Sequence, residues 1–422
     1  MSYLRFLTSG ESHGKALVGI LEGIPSGLSI SAEDIDGDLK RRQSGHGRGA
    51  RMKIESDCAE ILSGVRWGKT TGSPITLFIE NKDWKNWQDV MTPELPPLSP
   101  PLVRGGSRGG EVTRPRPGHA DLAGAIKYNQ HDIRNILERS SARETATRVA
   151  LGAVAKKFLS KFNIKIGSYV IQIGKVKSQI SDLRSQISEE GLLSLFGKAE
   201  SSPVRCPDEE ASKKMIKLID KATREGNSLG GIFEVFVTGA PIGLGSHIQW
   251  DKRLDGRLAQ ALMGIHAIKG VEIGLGFEIA RHFGSEVMDE IFYSPPHTPL
   301  AKGGRRGGNV SAHSITGFYR KTNYAGGIEG GMTNGMPIIL RAVMKPIPTL
   351  KRPLRSVDII SKKSVEAAYE RSDICAVPAA GVIGEAMVAL IIADAFLEKF
   401  GGDSMDETKC NYESYIRYIR KF

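Results

Sequence analysis

Residues Arg114–Ala153 read RPRPGHADLAGAIKYNQHDIRNILERSSARETATRVALGA. That stretch holds Arg114, Arg116, His119, Asp121, His131, Asp132, Arg134, Arg139, Ser140, Ser141, Arg143 and Glu144. Guanidinium forks match the oxygens of carboxylates and phosphates, so arginines this dense, beside histidines and hydroxyls, predict an anion site. The second half predicts a helix with a marked start. Ser141-Ala-Arg-Glu144 fits a capping box, the serine bonding forward and the glutamate bonding back. Ala146, Val149, Ala150, Ala153, Val154 and Phe158 then follow at helical spacing. Arg139, Ser140 and Ser141 are thereby expected at a helix N-terminus, where unpaired N–H groups and the helix dipole favour a phosphate.

The rest of the chain fits around this helix. Strands are expected at Leu17–Glu22, Pro74–Glu80, Lys165–Ile173, Gly231–Thr238 and Met336–Val343, where β-branched and aromatic residues lie between turn signals. Further helices are expected at Ala32–Arg42, Glu209–Glu225, Asp255–Ile265 and Gly384–Phe400, with Thr145–Phe162 as the one just described. Ser31-Ala-Glu-Asp34 is a start signal for the first of them. Strands and helices mix without regular alternation, which points to an α+β fold rather than a doubly wound parallel sheet. No clean domain boundary interrupts the 422 residues.

Composition narrows the class. Hydrophobic residues make up 40% and charged residues 25%, as in ordinary globular proteins. No apolar run approaches the roughly eighteen residues that span a bilayer. The start, MSYLRFLTSGESHG, lacks the layout of a signal peptide, so a cytoplasmic home is expected. Cys58, Cys206, Cys375 and Cys410 form no C-x-x-C pair, which argues against a zinc site and a disulfide framework. The net charge of +11 favours anionic partners without naming them.

One internal repeat stands apart. PLVRGGSRGGEV (Pro101–Val112) and PLAKGGRRGGNV (Pro299–Val310) agree at eight of twelve positions, each after a proline-rich lead. Two copies at so long a period are not repeat architecture. Glycine-rich segments without aromatics bury too little to offset their ordering entropy. They are read as related loop insertions, near 96–112 and 295–311, which a fold tolerates because longer loops cost little. Neither copy carries an aromatic residue for base stacking, which argues against an RGG-type RNA-binding element.

RPGHAD and ERSSARET in the opening stretch closely resemble motifs of the chorismate synthase family. GESHG (Gly10–Gly14) and RRQSGHGRG (Arg41–Gly49) resemble its N-terminal motifs. GGIEGGMTNG (Gly326–Gly335), MKPIPT (Met344–Thr349) and RSDICAVPAA (Arg371–Ala380) resemble its C-terminal ones. The matches keep their order from about Thr8 to about Phe400. The resemblance implies one compact β-α-β sandwich, helices between two antiparallel sheets, spanning 1–400 with a C-terminal tail at 401–422, and assembled as a homotetramer. It also implies a lyase of the shikimate pathway, forming chorismate from 5-enolpyruvylshikimate 3-phosphate by 1,4-elimination of the C3 phosphate and a C6 hydrogen. The family's cofactor is reduced FMN, used with no net redox change.

Roles carry over residue by residue. By similarity, His13 protonates the leaving phosphate and His119 tunes the reduced flavin ring. Histidine is the natural acid–base group near neutral pH. Asp373, with Ser12 as relay, is implied in managing the proton at flavin N5. Contacts to FMN are implied for Arg139, Ser140, Ser141, Gln260, Ala261, Gly330, Lys345, Pro346, Ile347, Pro348, Thr349 and Arg371. Arg42 and Arg48 match positions for anionic ligand or nucleotide binding, and Arg134 and Arg143 are further anion candidates. Two departures stand out: His46 where tyrosine is common, either a third ring at the site or a neighbour of it, and Gln260 where asparagine is frequent. No metal is expected.

Other classes have less support. There is no P-loop GxxxxGK[ST] and no acidic metal cluster. Gly243-Leu-Gly245 and Gly274-Leu-Gly276 lack the rest of a dinucleotide fingerprint. The chain is therefore expected not to reduce FMN with NADPH itself but to receive it from an external flavin reductase. Neither a membrane nor nucleic acid is an expected partner.

Overall fold

The structure is a computed structural model, and it describes residues 3–49, 56–94, 111–182, 188–295, 315–369 and 372–422. Arg371, the second glycine-rich copy, and the first copy up to Gly110 lie outside the described residues.

Two antiparallel sheets frame the molecule. The first contains β1 (Arg5–Ser9), β2 (Ala16–Glu22), β3 (Glu60–Ser63) and β4 (Ile75–Glu80) in the order β1-β2-β4-β3. The second contains β5 (Lys165–Ile173), β6 (Val176–Lys177), β7 (Gly231–Thr238), β8 (Ile268–Ile273) and β9 (Ile338–Met344) in the order β8-β9-β7-β5-β6. The principal helices are α1 (Ala32–Gln43), α2 (Asp121–Tyr128), α3 (Thr145–Ser160), α4 (Glu189–Glu200), α5 (Glu209–Arg224), α6 (Leu254–Met263), α7 (Val377–Phe400) and α8 (Met405–Ile419).

Alternation sets the faces of the first sheet. Leu17, Leu21, Ile75, Leu77 and Ile79 are buried at period two, and α3 packs against this inner face. The second sheet is covered on both sides. α7 lies on its inner face, and α4 seats Leu192 and Ala199 against Tyr169, Ile171, Phe236 and Ile339 on the other. That is why β7 reads as a nearly continuous apolar run. α3 and α7 pack together between the sheets, which gives the expected sandwich with its helices inside. Their crossing is close: a Cβ at Gly152 would lie 2.3 Å from the Ala386 Cβ. A Cβ at Gly384 would lie 2.8 Å from the Phe233 ring. Larger residues at either place would force the layers apart, at about 1–3 kcal/mol.

The central helix departs from expectation. α7 begins at Val377, not Gly384, with Pro378 in its first turn, where the missing N–H costs nothing. Being apolar all round, it lacks the amphipathic stripe that marks a helix start. Contrary to the sequence expectation, it is long and apolar enough to cross a membrane, yet 94% of its most apolar window is buried inside the protein. Its acidic residues are tied into the fold. Glu385 accepts from Arg41 at 2.8 Å and from Ser168 at 2.6 Å, and pairs with Lys156 and Arg205. Burial alone would raise this carboxyl, but Lys156, Arg41 and Arg205 hold it well below the usual range. Asp394 accepts from the Leu4 N–H at 2.7 Å and pairs with Arg257.

The C-terminal segment folds onto this core as α8. Tyr412 packs on Phe162, Phe396 and Phe400, and the Tyr415 hydroxyl donates to the Ile242 carbonyl at 3.0 Å.

Candidate active site

GESHG forms the turn between β1 and β2, and ERSSARET leads into α3. The fold brings the two together. The Ser12 N–H donates to the Glu138 carbonyl at 3.1 Å, and the Ser141 hydroxyl donates to Ser12 Oγ at 3.1 Å. The Glu138 carboxylate accepts the His13 backbone N–H on Oε2 at 2.7 Å, while its Oε1 lies 2.9 Å from His13 Nδ1. A carboxylate can only accept, so Nδ1 carries the proton in the neutral ring. The imidazole stacks on Trp87, with ring centroids 4.0 Å apart. The Arg134 guanidinium lies 5.2 Å from the Trp87 ring and 3.9 Å from Glu138. Arg134 is buried, and its Nε and Nη1 have no hydrogen-bond partner among the described residues. Open buried donors are rare and suit an incoming anion.

The other arginines of the set are occupied by the protein. Arg143 donates from Nε to Asn81 at 3.0 Å and pairs with Asp57. Asn81 in turn donates to the Glu11 and Gly14 carbonyls and so holds the GESHG turn. Arg42 reaches Asp57 at 3.3 Å, Thr145 and the Ala142 carbonyl. Burial pushes the Arg42 guanidinium down to about 10, against the pull of Asp57. Arg139 donates to the Thr8 carbonyl and hydroxyl, both at 2.7 Å, and to the Gly10 carbonyl at 3.1 Å. Arg48 pairs with Asp373 at 2.6 Å, and the Gly49 N–H donates to the same carboxylate. His46 pairs with Asp220 on α5, at the surface.

The expected capping box is half formed. Ser141 accepts from the Arg143 N–H at 3.3 Å and caps a 3₁₀ turn, Ala142–Glu144, that runs into α3. Glu144 does not reach back, because its carboxylate takes the Thr8 hydroxyl and Arg148. Ser140 donates to the Ile136 carbonyl of the preceding turn at 2.9 Å.

RPGHAD builds a second unit. Asp121 opens α2 and accepts from the Arg116 N–H at 2.9 Å and from Arg116 Nε at 2.8 Å. His119 Nδ1 lies 2.5 Å from the other oxygen of Asp121. Burial would raise the Asp121 carboxyl, but His119 and Arg116 outweigh it and hold it well below the carboxylate range. Arg116 also donates to the Thr349 hydroxyl at 3.0 Å, and Lys345 Nζ donates to the Gly118 carbonyl. Those two bonds bring MKPIPT against RPGHAD. The Ser372 hydroxyl donates to the Thr349 carbonyl at 3.1 Å, which adds the Asp373 segment.

Around MKPIPT, the Lys345 N–H donates to the Ala267 carbonyl at 2.9 Å, and Ser228 donates to the Ile347 carbonyl. Burial and nearby Lys269 lower the Lys345 ammonium. Ala267 sits in the left-handed region, φ 66°, a conformation a non-glycine residue adopts only under constraint. It presents His266, whose Nδ1 is buried with no hydrogen-bond partner among the described residues. Burial lowers the His266 imidazole, against the pull of Glu144. Ala261 packs in the main core with Leu258 and Leu262, so it is the following turn, not Ala261, that touches the lysine segment. Gly330 takes φ 57° in its hairpin, where a Cβ would meet only His247 Cβ, at 3.9 Å.

The sequence profile of the family "Chorismate synthase" matches residues 4–397. The chain is 57% identical to the chorismate synthase of Aquifex aeolicus, covering all of both chains. It is 54% identical to that of Geobacter sulfurreducens over 99% of this chain and 100% of that one. A crystal structure of chorismate synthase superposes with a TM-score of 0.76 at 48% identity, over 100% of this chain and 99% of that one. The chain belongs to the chorismate synthase family. It is an enzyme of the shikimate pathway.

In this chorismate synthase family member, the sequence reading passed over Glu138, Trp87, Asn81, Arg116 and His266 as site residues. Arg116 and Glu138 stand inside quoted motifs, so their signal was present. Trp87, Asn81 and His266 come from other segments, and only the fold brings them in. The residues suit an anionic aromatic cofactor. The buried orphan Nδ1 of His266 beside the lysine segment offers a hydrogen bond to a ligand, and Lys345 supplies positive charge there.

Proposed function

We propose that the enzyme converts 5-enolpyruvylshikimate 3-phosphate to chorismate by anti 1,4-elimination, with reduced FMN as cofactor. The observation that carries this reading is the meeting of GESHG with ERSSARET, where His13 and Glu138, 125 residues apart, form one acid–base unit. Reduced FMN, when bound, lends electron density to the substrate and recovers it. As the imidazolium, with Nδ1–H held on Glu138, His13 gives the Nε2 proton to the departing phosphate oxygen as the C3–O bond breaks and is left neutral with its proton on Nδ1, which removes charge from the leaving group. Arg134 supports the reading as the anion clamp, since its donors are open. Arg42, Arg48 and Arg143 add positive potential that focuses a substrate with two carboxylates and a phosphate into the cleft. His119, held by Asp121, carries positive charge beside the flavin. Asp373 and Ser12 handle the proton at flavin N5.

Arg139, Ser140, Ser141, Gln260, Ala261, Gly330, Lys345–Thr349 and Arg371 form the proposed FMN set, to which His266 is added. The reading extends to a cytoplasmic homotetramer supplied with reduced flavin by a separate reductase. The test is an anaerobic assay with 5-enolpyruvylshikimate 3-phosphate and dithionite-reduced FMN, following chorismate absorbance and phosphate release. Product that depends on reduced FMN is the expected result. A folded protein that binds FMN and forms none sinks the proposal. Sustained turnover with oxidised FMN and NADPH alone would overturn the need for an external reductase.

A further inference from the structure

We infer that Glu138 and Trp87 are positioning residues for His13, fixing which ring nitrogen carries the proton and how the ring is held. This rests on the proposed acid role of His13. Four side chains form a closed circuit. Glu138 holds His13, His13 stacks on Trp87 at 4.0 Å, Trp87 lies under Arg134 at 5.2 Å, and Arg134 returns to Glu138 at 3.9 Å. Trp87 is itself anchored by its indole N–H, which donates to Asp83 at 3.1 Å.

The two oxygens of Glu138 are not equivalent. Oε2 takes the His13 backbone N–H at 2.7 Å, and Oε1 is the nearer of the two to Nδ1, at 2.9 Å against 3.1 Å for Oε2. A backbone N–H can only donate, so its partner must remain an acceptor whatever residue stands at 138. Glutamine there keeps its oxygen on the backbone and turns its NH₂ toward Nδ1. Nδ1 then faces a donor at the shorter of its two contacts and accepts from it, and in the neutral ring the proton moves to Nε2. A role limited to holding the turn survives that substitution, because the backbone bond remains. A positioning role does not survive it, because the tautomer inverts and the imidazolium loses its counter-charge. The stacked indole blocks rotation of the ring about its own axis and covers one face from water. Phenylalanine preserves that contact and alanine removes it.

The experiment combines kinetics with ¹⁵N spectra of histidine-labelled enzyme, at a pH high enough to keep His13 neutral. The His13 signals are assigned by their loss in His13→Gln. In the wild type, Nδ1 should be pyrrole-like. In Glu138→Gln it should become pyridine-like, with kcat down about 10²–10⁴-fold and KM changed little. Trp87→Ala should lower kcat at least about tenfold, and Trp87→Phe should restore most of it. A pyridine-like Nδ1 in the wild type, or a Glu138→Gln enzyme as fast as wild type, overturns the inference. If Glu138→Gln does not fold, the wild-type spectrum and the Trp87 pair still decide it, and a Phe variant as slow as Ala counts against it. Wild-type enzyme without lyase turnover sinks the proposed function, while the tautomer measured on the same sample decides the geometric claim separately.

Discussion

His13 and His119 sit in two versions of one arrangement. Each places Nδ1 on a buried carboxylate, and each carboxylate has an arginine behind it. They differ in how complete the arrangement is. Around His119, Arg116 is bound through its backbone, Nε and Nη2 to Asp121 and through Nη1 to Thr349. Around His13, Arg134 stands 3.9 Å from Glu138 and keeps two buried donors open. The saturated unit is already assembled and has only to hold its ring and its charge. The open unit has donors to spare for an anion. That contrast supports His13 beside the departing phosphate and His119 beside the flavin, since an anion completes only the first.

Deleting either ring is the harshest test of the comparison. His13→Ala and His119→Ala should each reduce turnover about 10²–10⁴-fold while the protein stays folded. Single-turnover assays with excess reduced FMN measure it. Near-normal rates in either variant would remove that histidine from the mechanism.

The saturated unit should show its completeness in stability. Asp121→Asn leaves the Arg116 charge buried without its carboxylate, which should cost about 3 kcal/mol by chemical denaturation. The pH dependence has a definite sign. The folded carboxyl is depressed, so its contribution is fully present above the unfolded aspartate value of about 3.9 and is lost as pH falls toward the folded value. The gap between wild type and Asp121→Asn should therefore narrow below about pH 4. A gap that widens in acid would mean that the pair does not stabilise the charged form.

The open unit should respond in substrate affinity instead. Arg134→Met removes a charged donor to an anion, worth about 1.5–3 kcal/mol, so KM for the substrate should rise roughly 10–100-fold. Fluorescence titration should find FMN affinity nearly unchanged. Equal losses in both would erase the distinction between the two sites, and an unchanged KM would move the phosphate elsewhere.

The same contrast shows what the sequence could and could not reveal. Asp121 is two residues from His119, and their pairing was readable from RPGHAD. Glu138 reaches His13 across 125 residues, and Trp87 joins from a short helical turn between β4 and α2, so neither pairing has a local signal. β5 and β7 were legible to the residue because turn signals bound their apolar runs. β1 and β8 were missed: RFLTS is short, and IKGVEI has a glycine and two charges in six residues. Helix α7 was legible from Gly384 onward but not in its first two turns, since an all-apolar helix has no stripe to time its start. Arg139 was read as an FMN contact from the resemblance, and Arg143 as a further anion candidate from residue type. Type cannot reveal that Thr8, Gly10, Asn81 and Asp57 already engage their donors.

A third histidine supplies the control, with the smallest expected effect. His46 Nε2 lies 2.7 Å from Asp220, between the 2.9 Å of the His13 contact and the 2.5 Å of the His119 contact, yet both partners are more than a third exposed. Water screens such a pair and its net worth is at most about 1 kcal/mol. His46 also engages its carboxylate through Nε2, where the two buried units use Nδ1. His46→Ala should change turnover less than about twofold and stability by under about 1 kcal/mol. If it instead slowed the reaction as much as His13→Ala, burial and the Nδ1 carboxylate would no longer separate working histidines from neighbours. His46 would then have to count as the third ring of the site.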